Sequence, residues 1–394
     1  MKLKYTDQLM GEIKALKKGY PDFVFSSKNE KLTDKIPVFI FHSFEPESFE
    51  EQLKYLNENE YKTLSADEYV DILEGKKEAE ENSILLTVDD ARISFWIYGF
   101  PLLKKYKMKA ALFVIPGHTK QEVEIRKNLS DVWEGRAELS ELKNIDPSDE
   151  IISNWKELKI MHESGLIDIE IHTLFHKEIF TDFTVNNFIT DGTPLVPYNS
   201  PASPYLSDEN IGKGFLREEL IGYPLFNTAP LMSGAPAANI PESIIEESQK
   251  LYSEFKENGK TDSSAKENLI KKLNLKLAYK EKEFLDAEDI IYNDLKTSKE
   301  LIKKNIDENS GKHLCFPWTL GSETAIQACK TIGIKSCFWG IREDRKINKP
   351  LDDPYYSCRI KSDFIFRLPG KGRKSLPSIY GAKIKRRLSG ERVF

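Results

Sequence analysis

Short apolar segments alternate with amphipathic segments along most of the chain, and this alternation is the feature that most limits the possible folds. Seven segments rich in β-branched and aromatic residues predict strands, at residues 36–42, 83–90, 109–115, 166–172, 313–317, 335–339 and 355–360. Five segments with apolar residues at three- or four-residue spacing predict helices, at residues 49–59, 97–106, 154–164, 295–306 and 322–332. Apolar strands joined by helices predict a parallel sheet, either doubly wound or closed as a barrel.

The alternation is interrupted between residues 177 and 294, a stretch far longer than an ordinary connection. Residues 190–241 contain eight of the 19 prolines in the chain, which indicates extended loop structure. From Glu242 onward the stretch is charged and has apolar residues at helical spacing. We therefore interpret residues 177–294 as an insertion, part loop and part helix, that follows the fourth strand.

The charge and the cysteine content narrow the function classes. A net charge of -5 over 394 residues argues against a general nucleic-acid binder. The four cysteines have no C-x-x-C spacing, so we expect buried thiols rather than disulfides. The sequence also lacks the apolar run of a secretory signal or of a membrane span, and we therefore expect a cytoplasmic protein.

The C-terminal segment is strongly basic. Residues 361–394 carry ten lysines or arginines against two acidic residues. This segment is either a solvated surface or a site of contact with anionic lipid or a phosphorylated carrier, which would make the protein peripheral to a membrane.

A pair of adjacent carboxylates closes the second predicted strand. Asp89 and Asp90 follow the apolar run at residues 84–86. Burying two such charges costs several kcal/mol unless a metal ion or strong donors compensate. The alternative is an ordinary turn in which one aspartate caps the next helix.

Two histidines four residues apart follow the fourth predicted strand. His172 and His176 can face one point from a single turn, a spacing that many metal sites use. The spacing alone is a weak signal, because such pairs also occur on solvated helices. Together with Asp90, the histidines form a set that leaves positions open for water and substrate, as catalytic zinc or non-haem iron requires.

An aromatic and proline cluster, Phe316-Pro317-Trp318, ends the fifth predicted strand. By itself this cluster would be assigned to packing. However, active sites of α/β barrels lie at the C-terminal ends of the strands, and all three clusters fall at such ends. We therefore expect Pro317 and Trp318 to contact a substrate, together with Trp339 at the end of the sixth strand.

These motifs together resemble the polysaccharide deacetylase superfamily of the NodB-homology type. Residues 87–90 resemble its T-F-D-D-G motif, residues 172–176 match its H-[ST]-x-x-H motif, and residues 316–318 resemble the end of its R-x-P-[YW] motif. The resemblance covers roughly residues 35–340 outside the insertion. It is strongest to the circularly permuted poly-N-acetylglucosamine deacetylase branch.

The resemblance implies a domain organisation. The family fold is a distorted (β/α)7 barrel, which residues 35–176 and 295–360 would form. The insertion at residues 177–294 would then leave this barrel after strand four. A helical extension at residues 1–34 would precede the barrel, and a basic tail at residues 361–394 would follow it.

The resemblance also implies an activity and a set of roles. Asp89 would be the general base, and Asp90, His172 and His176 would bind one divalent metal ion, with zinc as the first choice and iron, cobalt, nickel and manganese as alternatives. The reaction would be hydrolysis of the N-acetyl group of an amino sugar, with release of acetate. The substrate would be a polysaccharide or a glycan precursor such as a lipid-linked or nucleotide-linked sugar.

Hydrolysis of an amide also needs an acid for the departing amine. His42 ends the first strand on the same rim as Asp89, and in the branch that the chain resembles the acid comes from this N-terminal strand. His118, which follows the third strand, is the alternative.

Three positions depart from the family motifs. Val88 and Ala91 replace the usual Phe and Gly around the aspartate pair, which suggests a different turn. Cys315 stands where the family has an arginine that orients the base, and the sequence leaves Arg92 and Arg359 as alternative substitutes.

Two further questions stay open at the level of sequence. The scaffold could act on an O-acetyl ester or another amide, or could be a glycan-binding relative without catalysis. The insertion, which begins directly after His176, could shape the substrate groove or could be a subdomain packed on the flank of the barrel.

Overall fold

The structure, a computed structural model, describes residues 19–121, 124–145, 151–257 and 263–389. Residues 1–18 of the predicted helical extension lie outside these ranges, and residues 19–34 include one short helix. Residues 390–394 of the predicted basic tail also lie outside them.

The described residues contain 14 strands and 13 α-helices. In chain order the strands are β1 (Val38–Phe41), β2 (Lys62–Thr63), β3 (Ser83–Val88), β4 (Ala110–Val114), β5 (Ile167–Ile171), β6 (Glu178–Phe180), β7 (Asn187–Phe188), β8 (Pro224–Leu225), β9 (Thr228–Pro230), β10 (Ala237–Ala238), β11 (Phe284–Leu285), β12 (His313–Cys315), β13 (Ser336–Phe338) and β14 (Ile360–Lys361). The helices are α1 (Asp22–Phe25), α2 (Pro46–Glu58), α3 (Ala66–Leu73), α4 (Phe100–Tyr106), α5 (Leu129–Trp133), α6 (Leu139–Ile145), α7 (Trp155–Glu163), α8 (Arg217–Leu220), α9 (Glu242–Glu257), α10 (Ser263–Leu277), α11 (Ala287–Asn305), α12 (Glu323–Ile332) and α13 (Leu376–Ser389).

Seven parallel strands form the central sheet, in the order β13, β12, β5, β4, β3, β1 and β14. The short strand β2 pairs in addition with β3. A single parallel bridge joins Phe338 of β13 to Ser357, just before β14. The amide of Trp339 also donates to the carbonyl oxygen of Ser357, at 2.8 Å. The sheet therefore curls into a distorted seven-stranded α/β barrel, which confirms the predicted fold class.

Two predicted elements differ most from the bounds that the structure gives them. The first two residues of the seventh predicted strand, at residues 355–360, lie in a 3-10 turn over Pro354–Tyr356, and β14 begins only at Ile360. Pro354 has no N–H for a strand ladder, and the side chain of Asp353 accepts a hydrogen bond from Tyr355 N. Helix α11 begins at Ala287 rather than at residue 295, because Asp286 caps its first turn.

The core lies on both faces of the sheet. One face packs against helices α2, α4, α7, α11 and α12, and the other packs against α3. On the α3 side, Phe338 lies between Tyr69 and Phe113, with ring centroids 5.6 and 5.3 Å away. Full burial of each such ring contributes roughly 1.5–3 kcal/mol. This packing fixes the strands and thereby the positions of the residues at their ends.

The segment between β5 and α11 has a core of its own. Three short antiparallel pairs, β6 with β9, β7 with β8 and β10 with β11, pack with α9 and α10. Leu251, Leu269 and Leu273 are buried in this core, as their helical spacing predicts. Much of the proline-rich part, residues 190–241, has irregular backbone, as predicted.

The described part of the basic C-terminal segment packs on the body of the protein. Lys383 and Arg386 both pair with Asp363, and Arg367 donates to the carbonyl oxygen of Val24 at 2.8 Å. Among the helices of the described ranges, none is both long enough and apolar enough to cross a membrane.

Candidate active site

The C-terminal ends of four strands meet at one rim of the barrel. His42 follows β1, Asp89 and Asp90 follow β3, His172 follows β5, and Cys315 ends β12. The structure therefore brings the three sequence motifs together, as expected for strand ends in a parallel barrel.

Asp90, His172 and His176 form a compact group of candidate metal ligands. The Oδ1 atom of Asp90 lies 3.4 Å from Nε2 of His172 and 3.8 Å from Nε2 of His176. All three residues are buried, and their ligand atoms lie within 4.8 Å of one another. One carboxylate and two imidazoles at this separation fit a single divalent ion such as zinc.

The surroundings of the triad determine which of its ligand atoms carry a proton when no metal is bound. The backbone carbonyl oxygen of Cys315 lies 2.8 Å from Nδ1 of His172, which places a ring proton on Nδ1 and directs Nε2 towards Asp90. Burial alone would lower the pKa of His172, but the neighbouring Cys315 and Asp90 hold it well above its ordinary value, so a metal ion would displace the proton on Nε2. Burial alone would raise the pKa of Asp90, but the charge of Arg92 and the hydrogen bond with His172 hold it well below the ordinary range. Burial, aided by the neighbouring His172, lowers the pKa of His176 to about 3.

The backbone at the rim adopts conformations that side chains usually avoid. Asp90 and Ala91 have φ angles of 70° and 52°, and Thr173 and His176 have φ angles of 65° and 49°. The left-handed φ of Ala91 explains why glycine is usual at this position of the motif. Such strain costs on the order of 1–3 kcal/mol at each residue and is typical of functional sites.

Contacts from other elements hold the turn that carries the two histidines. The Oδ1 atom of Asp294, on α11, accepts a hydrogen bond from Leu174 N at 2.9 Å. The amide of Gly117 donates to the carbonyl oxygen of Leu174 at 2.8 Å, and a Cβ atom at Gly117 would lie only 2.4 Å from that oxygen. Sequence reasoning missed both Asp294 and Gly117, because nothing local to either residue indicates its contact with the turn.

Arg359 takes the place of the arginine that Cys315 replaces. Its Nη1 and Nη2 atoms donate to Oδ1 and Oδ2 of Asp89, at 2.6 and 2.9 Å, in a fully buried bidentate pair. The Sγ atom of Cys315 lies 3.5 Å from the same carboxylate. Burial raises the pKa of Asp89, but the charge of Arg359 outweighs it, and the net pKa is lowered. Asp89 is therefore an ionised carboxylate held in one orientation.

Arg92, the alternative substitute, contacts the other aspartate. Its Nε and Nη2 atoms lie 2.9 and 2.8 Å from Oδ2 of Asp90, and its Nη1 atom donates to the hydroxyl of Ser43 at 3.2 Å. The guanidinium lies over the ring of Tyr198, in the insertion, at 3.9 Å. Arg92 thus holds the oxygen of Asp90 that does not face the histidines.

Of the two histidines considered for the acid, His42 lies beside the aspartates. Its Nε2 atom is 3.8 Å from Oδ2 of Asp89, and its side chain is 29% exposed. Burial is the largest influence and lowers the pKa of His42 to about 4, although Asp89 and Asp90 act in the opposite direction. His118 is instead buried between the rings of Phe175 and Phe215, whose centroids are each 5.3 Å away.

The three residues predicted to contact substrate occupy different positions. Trp318 packs edge to face on His176, with ring centroids 4.1 Å apart, and has a left-handed φ of 51°. Pro317 is buried. The ring of Trp339 packs against Phe316, and its carbonyl oxygen accepts a hydrogen bond from Nε of Arg359 at 3.1 Å. Only Trp318 of the three is in ring contact with the triad.

Sequence comparisons match the segment that contains these motifs. Residues 76–219 match the family model described as polysaccharide deacetylase. The chain is 30% identical over 132 residues to a poly-beta-1,6-N-acetyl-D-glucosamine N-deacetylase of Staphylococcus aureus, which covers 34% of this chain and 37% of the relative. It is 34% identical over 89 residues to YxkH of Bacillus subtilis, which covers 21% of this chain and 32% of the relative. The matches therefore span about a third of the length of these relatives.

Two solved structures are similar over most of the chain. IcaB from Ammonifex degensii has a TM-score of 0.47 at 16% identity, covering 86% of this chain and 98% of IcaB. A de-N-acetylase from Aggregatibacter actinomycetemcomitans has a TM-score of 0.49 at 16% identity, covering 88% of this chain and 99% of that protein.

The segment that matches the family model contains Asp89, Asp90, His172 and His176, and the structure brings these four side chains to one buried point. Residues 76–219, which include all four of these side chains, are therefore similar to the polysaccharide deacetylase family.

Proposed function

We propose that the protein is a metal-dependent deacetylase that hydrolyses the N-acetyl group of an amino sugar and releases acetate. The observation that carries the proposal is the pairing of two differently held aspartates at one rim. Asp89 is fixed by Arg359 as an ionised base, and Asp90 faces His172 and His176 as a ligand. The match of residues 76–219 to the polysaccharide deacetylase model supports the same activity.

The proposed roles follow from the contacts of each side chain. Asp90, His172 and His176 would hold one divalent ion, which would polarise the acetyl carbonyl and acidify the attacking water. Asp89 takes the proton of that water as the carbon–oxygen bond forms. His42, whose Nε2 atom is 3.8 Å from Asp89, can receive this proton and deliver it to the amine nitrogen as the carbon–nitrogen bond breaks. Trp318, beside His176, borders the acetyl group.

The proposed substrate is an N-acetylated glycan or a glycan precursor. The Staphylococcus aureus relative is by name a deacetylase of poly-beta-1,6-N-acetyl-D-glucosamine, which supports an amino-sugar polymer. An O-acetyl ester remains the alternative substrate, because the same carboxylates and metal would also hydrolyse an ester. A glycan-binding relative without catalysis is disfavoured, because it would have no need of the buried Asp89, Asp90, His172 and His176.

The activity is tested by acetate release from an N-acetylglucosamine oligomer and from an O-acetylated sugar. We expect the purified protein to deacetylate the oligomer faster, and to lose this activity with a chelator or with Asp89→Asn. Metal analysis should find one ion per chain, which His176→Ala removes and the control His162→Ala, at a half-buried pair with Asp307, retains. One retained ion in His176→Ala would contradict the metal assignment.

The role of His42 is tested separately. His42→Ala should retain the metal but lose roughly 10²- to 10⁴-fold in kcat, because the departing amine then lacks its proton donor. His118→Ala is the matched control. Activity within a few fold of the parent in His42→Ala, together with an inactive His118→Ala, would assign the acid to His118.

The cellular location and the contact with anionic membranes remain proposals. Pairing of Lys383 and Arg386 with Asp363 neutralises part of the basic segment. Contact with lipid would therefore have to use the basic side chains of the segment 361–394 other than Lys383 and Arg386. Sedimentation with anionic vesicles, compared with neutral vesicles, tests it.

A further inference from the structure

Two aromatic side chains lie close to the candidate metal ligands. Trp318 contacts His176, with ring centroids 4.1 Å apart. Tyr198 contacts Arg92 at 3.9 Å, and Arg92 pairs with Asp90 at 2.8 Å. The Oδ1 atom of Asp90 faces the histidines, and its Oδ2 atom faces Arg92. The chain of contacts from Trp318 to Tyr198 therefore passes across the triad, and each ring is at most one side chain away from it.

The two rings come from different parts of the chain. Trp318 belongs to the third family motif, at the end of β12, whereas Tyr198 belongs to the proline-rich part of the insertion. Pro197 precedes Tyr198, and Pro201 follows three residues later. Prolines lower the entropy that such a loop loses on ordering. The insertion thus supplies a ring at the rim that the family motifs do not include.

Hydrogen bonds tie this part of the insertion to the metal-binding turn. The hydroxyl of Ser203 accepts from Glu178 N at 3.1 Å, two residues after His176. The Nζ atom of Lys177 donates to the carbonyl oxygen of Leu206 at 2.7 Å. The hydroxyl of Ser200 donates to Pro194 O and accepts from Ala202 N, at 3.2 and 3.1 Å. Tyr198 is therefore carried by a segment that is fixed relative to the site.

A half-buried tyrosine ring in this position suits a sugar. The ring faces of aromatic side chains pack on the apolar C–H faces of pyranose rings, and pockets for polar ligands commonly combine such a ring with a few polar groups. Tyr198 is half-buried, whereas its neighbour Asn199 is exposed. A sugar whose acetyl group reaches the triad would leave the adjoining sugar unit of the same chain near the rim, where Tyr198 lies.

We propose that Tyr198 forms one wall of the substrate groove and that the ring face turned away from Arg92 stacks on the sugar unit next to the one being deacetylated. This inference rests on the proposed deacetylase function and assigns the recognition of the neighbouring sugar unit to a residue of the insertion. The enzyme would prefer a chain of sugars to a single sugar, and the preference would come from the insertion.

The test compares a tetramer of β-1,6-linked N-acetylglucosamine with the monosaccharide N-acetylglucosamine. The quantity measured is the ratio of kcat/KM for the tetramer to kcat/KM for the monosaccharide. We expect Tyr198→Ala to lower this ratio about tenfold, because a tenfold change corresponds to the loss of one ring contact worth about 1.4 kcal/mol. Tyr198→Phe, which retains the ring, should restore most of it. The matched control is Tyr279→Ala, a tyrosine of the same insertion that is 90% exposed, and it should keep the parent ratio.

A binding measurement separates this inference from the proposed function. The dissociation constant of the tetramer is measured by calorimetry with Asp89→Asn and with the double variant that adds Tyr198→Ala, and we expect about tenfold weaker binding in the second. If the parent protein deacetylates the tetramer but the two variants bind it equally well, the role of Tyr198 alone is overturned. If the two variants differ in binding but the parent does not deacetylate the tetramer, the deacetylase function alone is overturned. If the tetramer neither binds nor reacts, both proposals are overturned.

Metal content distinguishes stacking from a positioning role. If Tyr198 acted only by shielding Arg92 and Asp90, Tyr198→Ala would lose metal and would lower kcat/KM equally for both substrates. That result overturns the proposal. One ion per chain in Tyr198→Ala, with a selective loss on the tetramer, supports it.

Discussion

The two ends of the barrel use the same kinds of charged side chain for different purposes. At the N-terminal ends of the strands, Asp67 of α3 pairs with Lys312 and Lys335, at 2.8 and 2.7 Å. Buried Glu170 accepts hydrogen bonds from the amides of Lys312 and His313. At the C-terminal ends, Asp90 faces two histidines across gaps of 3.4 and 3.8 Å, which leaves room for an ion.

The backbone that carries the candidate site also differs from the backbone at His313, at the other end of the barrel. Residues with a left-handed φ at the C-terminal rim include Asp90, Thr173, His176 and Trp318, and a threonine or a tryptophan rarely adopts such an angle. His313, by contrast, sits within an ordinary strand, with Nδ1 2.8 Å from the hydroxyl of Ser336. Strain accompanies the groups that are arranged for chemistry, whereas His313, a group of the same type that serves packing, has an unstrained strand backbone.

The largest effect is expected from Arg359. Arg359→Ala should cost about 3–5 kcal/mol in the free energy of unfolding, because it leaves Asp89 buried without its partner. Arg359→Lys keeps the charge but loses the bidentate contact with Asp89. We therefore expect kcat to fall about 10- to 100-fold while the metal stays bound. Denaturant unfolding, acetate release and metal analysis measure these effects. Arg136→Lys, at an arginine that is 52% exposed, is the control, and a normal kcat in Arg359→Lys would refute the assigned role.

An effect of intermediate size is expected from Asp294, which lies against the histidine turn. Burial raises the pKa of Asp294 to about 7, despite its hydrogen bond from Leu174 and the nearby charge of Lys177. Because the folded-state pKa is raised, the stabilising contribution is present below its ordinary pKa near 4 and is lost as the pH rises towards 7. The stability of the metal-free parent relative to Asp294→Asn should therefore fall over this range, by at most about 4 kcal/mol.

Denaturant unfolding of both metal-free proteins at several pH values between 4 and 8 measures this difference, in which the titration of all other groups cancels. Asparagine retains an oxygen that can accept from Leu174 N, so Asp294→Asn isolates the charge. A constant difference across this pH range would show that Asp294 does not titrate there.

The smallest effect is expected at the opposite end, from Asp67. The hydrogen bond with His313 and the bonds from Lys312 and Lys335 outweigh burial and hold the pKa of Asp67 well below its ordinary range. Asp67→Asn should cost only about 1 kcal/mol at neutral pH, because the side chain is 43% exposed and water screens the charges. Since this pKa is lowered, the difference from the parent should shrink as the pH falls below about 4.

Activity provides the contrast between the two ends. Asp67→Asn should leave both kcat and the metal content at the parent values, because Asp67 is remote from the rim. A marked fall in kcat would mean that the N-terminal end of the barrel also influences the chemistry, and the contrast between the two ends would fail.

The sequence could predict the rim but not the groups that support it. Asp89 and Asp90 follow one apolar strand, His172 and His176 follow another, and strand ends in a parallel barrel converge. Arg359 is 270 residues from Asp89 along the chain. The sequence offered it only as an alternative to Arg92, because a long-range salt bridge leaves no local pattern.

Other supporting contacts gave no sequence signal at all. Asp294 is 120 residues from Leu174. In the sequence, nothing distinguishes it from the other acidic residues of a charged helix. Tyr198 lies in a proline-rich segment without periodicity, so nothing indicated which of its side chains would reach the site. The seventh strand was predicted too long because the residues around Tyr355 are aromatic, whereas the preceding Pro354 and Asp353 determine a turn.

The pairing of Arg359 with Asp89 has a consequence for how the protein is made. A ribosome synthesises the aspartate pair and both metal-binding histidines long before it reaches residue 359. Until that residue emerges, burial of Asp89 within a nascent barrel is unfavourable, because its counter-charge does not yet exist. The barrel therefore cannot bury a correctly oriented Asp89 until the segment that contains Arg359 and β14 has been synthesised. A fragment that ends at residue 350 would contain every family motif and would still lack the arginine that holds the base.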